Sequence, residues 1–96
     1  MSKDTIFALS TSPGKSGIAI IRVSGPSSFS VVENLTGSCP PLRKATLRYL
    51  KYNSEVLDRA LVICFAAGAS FTGENMAEFH IHGSFAVIKG VTEVLS

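Results

Sequence analysis

The chain has 96 residues, 46% of them hydrophobic and 17% charged, with a formal net charge of +2. That length is one small domain, the apolar content excludes a disordered chain, and so mild a charge does not by itself indicate nucleic acid. No apolar run nears the roughly 20 residues of a membrane span, and Met1-Ser2-Lys3-Asp4 leads into a strand without a signal core, so a cytoplasmic chain with no membrane association is expected.

Thr5 to Leu9 reads as a short strand and residues 10–17 as a loop. The loop holds Gly14-Lys15-Ser16, which is like the tail of a phosphate-binding loop. Leu9 stands where that motif needs its first glycine, and a strand follows where it needs a helix, so no nucleotide site is assigned there. Ile18 to Val23 is apolar on both faces, as a central strand is, and Arg22 is its only charge. Arg22 has two readings. Its stem packs while its head reaches water, or it is a fixed cation lining a pocket, where it pairs with a carboxylate or grips an anionic ligand. Ser24-Gly25-Pro26 starts a helix, with Phe29, Val32 and Leu35 or Val31 as its buried stripe and Gly37 as its stop.

Ser38-Cys39-Pro40-Pro41 is a rigid connector. Residues 43–52 read as a strand carrying four of the nine basic residues. A solvated edge strand accounts for them, since Lys and Arg there oppose aggregation; a contact with RNA phosphates, with Tyr49 or Tyr52 stacking, is the alternative. Asn53-Ser54 is a tight turn into a second hairpin strand, Glu55 to Phe65, which begins polar and ends apolar. Cys64, inside that apolar run, reads as a core thiol, and no disulfide to Cys39 is expected. A final helix from Ser84 places Phe85, Ile88, Val91 and Leu95 inward. It still reads as helix at Ser96, which leads to the expectation of a longer protein.

Between these lies Ser70 to Gly83, a polar turn and then a strand by strict alternation. Ala77, Phe79 and Ile81 point one way; Met76, Glu78, His80 and His82 the other. A buried carboxylate needs a partner, from inside the chain or outside it. Three chemistries fit. Glu78, His80 and His82 are potential metal ligands on one strand face. Glu78 paired to Arg22 gives an assembly domain without a ligand. Alternatively, a carboxylate in an apolar setting accepts two parallel hydrogen bonds from an amidine-like edge, a ring N–H beside an exocyclic amino group, as guanines and pterins present; Arg22 would then suit an acidic or carbonyl part of that ligand. No catalytic residue is assigned. The element order, strand, strand, helix, hairpin, strand, helix, predicts an α+β domain over residues 1–96, a mixed β-sheet with helices packed on one face.

Several motifs together carry a resemblance: Asp4-Thr5-Ile6, the run from Pro13-Gly14-Lys15 through Ile21-Arg22-Val23-Ser24-Gly25-Pro26, and Ser70-Phe71-Thr72-Gly73-Glu74-Asn75 with Glu78 and His82-Gly83. Over essentially the whole chain the sequence resembles the N-terminal domain of the tRNA modification GTPases called MnmE or TrmE. The resemblance implies a fold similar to the tetrahydrofolate-binding fold of the glycine-cleavage aminomethyltransferase. It implies binding of 5-formyltetrahydrofolate or a related folate, with Arg22 and Glu78 as folate-binding residues, and a homodimer formed through this domain with the folate site near its interface. It also implies a parent protein that acts with the flavoprotein MnmG on C5 of the wobble uridine of tRNA. GTP, potassium and magnesium would belong to a G domain absent from these 96 residues. The chain departs from the family in having Ser84-Phe85 after His82-Gly83, where many members carry a second glycine, and in Ser12 and Lys15.

Overall fold

A computed structural model of the chain describes residues 5–10, 17–69 and 73–95, with the side chains of Ala69 and Phe85 excepted. The Gly14-Lys15-Ser16 segment, Ser70-Phe71-Thr72 and the inward placement of Phe85 lie outside what it describes.

Five strands and two helices follow in chain order: β1 (Ile6–Leu9), β2 (Ile18–Ser24), α1 (Ser28–Thr36), β3 (Thr46–Tyr52), β4 (Glu55–Phe65), β5 (Met76–His82) and α2 (Phe85–Leu95), with a short 3-10 turn at Ala67–Ala69 before β5. The strands form one sheet in the order β1-β2-β5-β4-β3. The α+β class expected from the element order is the class found. All four pairings are antiparallel, so the sheet itself is not mixed. The reason lies in the α1 connection. It carries the chain from β2 to β3 at the far edge, and β5 then enters between β2 and β4, antiparallel to both.

Both helices cover one face. The core joins Val32 and Leu35 of α1 and Ile88, Val91 and Leu95 of α2 to Ile21, Val23, Val62, Cys64, Ala77, Phe79 and Ile81 of the sheet. Alternation sends Glu78, His80 and their register neighbours to the opposite face, which no helix among the described residues covers. On that face Ile6, Ile18, Leu47, Tyr49 and Leu61 are each at least 40% exposed.

Local chemistry sets the ends of the elements. Gly37 stops α1 in the left-handed conformation (φ 92°), and its N–H reaches the Glu33 carbonyl at 2.8 Å. The helix starts later than Pro26 suggests, capped at Ser27 without a side-chain cap bond; instead the Ser27 N–H donates to Thr5 Oγ1 at 2.9 Å, tying the helix to the segment before β1. Ser84 begins α2, its Oγ accepting the Val87 N–H at 3.3 Å. Asn53 and Ser54 both have positive φ (50° and 66°), as a two-residue type I′ hairpin requires. β3 begins at Thr46, not Arg43. Arg43 turns the chain at φ 62°, and its N–H donates to the Cys64 carbonyl at 2.7 Å. Cys64 is fully buried and Cys39 exposed, both as free thiols; burial, helped by the nearby Cys39, pushes the Cys64 thiol up to about 11. No helix among the described residues is long and apolar enough to cross a membrane.

Candidate functional site

Glu78 lies at the middle of β5, the central strand. Its register partners are Arg22 on β2 and Ile63 on β4. Arg22 and Glu78 are 56 positions apart in sequence, and the antiparallel register sets them side by side on the helix-free face. The Arg22 Nε–H donates to Glu78 Oε2 at 2.7 Å. The second carboxylate oxygen, Oε1, lies 3.1 Å from His80 Nε2. Glu78 is buried, its side chain only 8% exposed, whereas the Arg22 side chain is 42% exposed and that of His80 23%.

Burial on its own pushes the Glu78 carboxyl up. The hydrogen bonds from Arg22 and His80, and the charges they carry, outweigh it and hold the group below its ordinary value of 4.5. The folded value lies below the unfolded one, so the carboxylate contributes stability that is fully present above about pH 4.5 and is lost as pH falls through the depressed value. Denaturant titrations from pH 7 down to pH 3 should therefore show the wild type losing more stability over that interval than Glu78→Gln, which lacks the group. Equal losses would mean that the pair is not formed in solution.

His82 has a different fate. Its ring Nδ1 is 2.6 Å from Asp58 Oδ1, and its backbone N–H donates to Asp58 Oδ2 at 2.8 Å. The ring turns away from Glu78 and His80, so the three potential ligands on the strand do not converge. Among the described residues no group of three or more His, Cys, Asp or Glu side chains is placed to hold a metal ion. Asp58 escaped the reading of the sequence. It sits in the polar first half of β4, 24 residues before His82, and only the pairing of β4 with β5 brings the two together.

The arrangement is a buried carboxylate at the base of a largely apolar sheet face, with a half-exposed guanidinium at its side. A carboxylate accepts paired N–H donors, and a guanidinium donates to a carbonyl or carboxylate. The donor set thus fits a ligand with an amidine-like edge and an acidic or carbonyl part.

Comparison with known proteins places the chain in a family. The family described as "GTP-binding protein TrmE N-terminus" matches residues 5–96. The tRNA modification GTPase MnmE of Cereibacter sphaeroides (strain ATCC 17029) is 55% identical over 93 residues, covering 97% of this chain and 22% of that protein. The MnmE of Granulibacter bethesdensis is 48% identical over 96 residues, covering 99% of this chain and 22% of that protein. The mitochondrial 5-taurinomethyluridine-[tRNA] synthase subunit GTPB3 of Danio rerio is 53% identical over 94 residues, covering 96% of this chain and 19% of that protein. The chain spans about one fifth of the length of these relatives. With a match this extensive, running from the first strand through the last helix, the chain belongs to the TrmE N-terminal family.

Proposed function

We propose that the chain is the folate-binding and dimerisation module of a GTPase that modifies tRNA at C5 of the wobble uridine, in partnership with the flavoprotein MnmG. The observation that carries the ligand reading is the placement of Glu78, buried to 6% exposure yet on the sheet face that no helix covers, beside a guanidinium that still reaches solvent. A pterin ring N–H and its exocyclic amino group would donate to Glu78, and Arg22 would meet a carbonyl or carboxylate of the same folate. The tRNA modification role rests on the names of the relatives. GTP, potassium and magnesium are assigned to the remainder of such a protein, and no residue of this chain is given to them.

Titration calorimetry with 5-formyltetrahydrofolate on the full chain tests the ligand reading. Saturable heat at one folate per chain is expected; no heat at millimolar folate would sink it.

Dimerisation has its own support. Five large apolar residues, Ile6, Ile18, Leu47, Tyr49 and Leu61, stand exposed on the helix-free face, and Leu47 lies directly opposite Leu61 in the β3–β4 register. A partner laid on this face would cover them and border the folate site. Light scattering should give twice the chain mass for the wild type and the single chain mass for Ile18→Glu. A monomeric wild type would refute it. A second reading, an assembly domain without ligand, is favoured by the Arg22–Glu78 pair, which satisfies the carboxylate internally at 2.7 Å. The calorimetry separates the two.

A further inference from the structure

We infer that His80 is a built-in placeholder for the ligand on Glu78, one that sets how tightly and how selectively the site binds. The inference rests on the folate reading and goes beyond it by giving a role to a residue that reading leaves idle.

An amidine-like edge needs both oxygens of the carboxylate. Here Oε2 is held by Arg22 and Oε1 by His80, at 2.7 and 3.1 Å. The two partners are not equivalent. Arg22 stands directly opposite Glu78 in the β2–β5 register, and its bond is short and charge-assisted. His80 is two residues along the same strand, so its ring has to lean back along β5 to reach Oε1. Its register neighbours are Ile20 and Leu61, both apolar. With Arg22 and His80 on its two oxygens and Ile63 opposite it on β4, the Glu78 side chain is 8% exposed. Each carboxylate oxygen accepts two hydrogen bonds, so one ligand donor can share Oε2 with Arg22, while its paired donor takes Oε1, where the longer, same-strand His80 contact is the one that yields.

Two consequences follow. In the absence of ligand, His80 keeps Oε1 from being a buried acceptor without a donor, which protects the fold. On binding, the ligand must supply a donor at least as good as the ring it displaces, so apparent affinity is reduced by the fraction of molecules in which His80 occupies the site. A ligand with a single donor replaces His80 without net gain; one with two donors gains the second bond. His80 thereby raises discrimination in favour of a paired-donor edge.

The test compares 5-formyltetrahydrofolate binding by the full chain in four forms: wild type, His80→Leu, His80→Ala and His80→Gln. Leucine matches the apolar row of Ile20 and Leu61 and guards against an alanine variant that fails to fold. Removing the placeholder should tighten binding by roughly three- to tenfold in His80→Leu and His80→Ala, the worth of one modest hydrogen bond. His80→Gln, which keeps an N–H donor for Oε1, should stay within about twofold of the wild type. If the wild type binds folate and His80→Leu binds it equally or more weakly, the placeholder role is wrong and the folate reading stands. Failure of the wild type to bind folate at all overturns both.

Discussion

Glu78→Gln is expected to weaken folate binding by about 100-fold or more while leaving the chain folded. The size of the effect comes from what the substitution does to the pair of acceptors. The amide keeps one oxygen and turns the other position into an N–H₂, which would face a donor on the ligand. One bond is lost and one donor is set against another. A site built on paired acceptors also loses the charge that made both bonds strong. The cost to stability is smaller, because the amide oxygen still accepts from Arg22, and that guanidinium is 42% exposed and already screened by water. We expect about 1–2 kcal/mol, read from urea denaturation. Calorimetry and denaturation on the same preparation keep the two effects apart. Normal folate affinity in a folded Glu78→Gln would mean that the carboxylate does not read the ligand.

Phe79→Ala should be the most destabilising single change near the site, about 3–5 kcal/mol. Phe79 is fully buried, is among the largest buried side chains, and lies in register between Ile21 on β2 and Val62 on β4. It points into the helix-covered core directly behind Glu78, and the two residues are successive positions of one alternating strand. A domain of this size has a total stability on the order of 5–10 kcal/mol, so the variant should unfold at far lower urea and lose folate binding as a consequence of unfolding. Osmolyte or folate at saturating concentration should restore part of both. A fall of less than about 1 kcal/mol would show that the β5 core is not packed as described.

These two expectations join a part of the protein that its sequence makes legible to one that it does not. Alternation in Met76–His82 declares the strand and assigns Phe79 to the core and Glu78 to the other face, and both assignments hold. Glu55–Phe65 is a strand over the span its composition marks, and Gly37 ends its helix because a left-handed residue is needed there. What local pattern does not carry is register. Arg22 admits a solvated reading and a paired one until β2 is laid against β5, and then its Nε falls 2.7 Å from Glu78. The two histidines look equivalent on the strand, yet His80 turns to Glu78 and His82 to Asp58, a residue nothing in the sequence singles out. The basic run at 43–52 likewise reads as one strand, but Arg43 spends its N–H on the Cys64 carbonyl and the strand begins three residues later.

The most direct measurement of the central claim is a crystal structure of the full chain grown with 5-formyltetrahydrofolate. The pterin ring N–H and its amino group should lie about 2.7–3.0 Å from the Glu78 carboxylate, on the helix-free face, with the His80 ring moved off Oε1. Glu78 still closed by Arg22 and His80, with the folate bound elsewhere or absent, would contradict it.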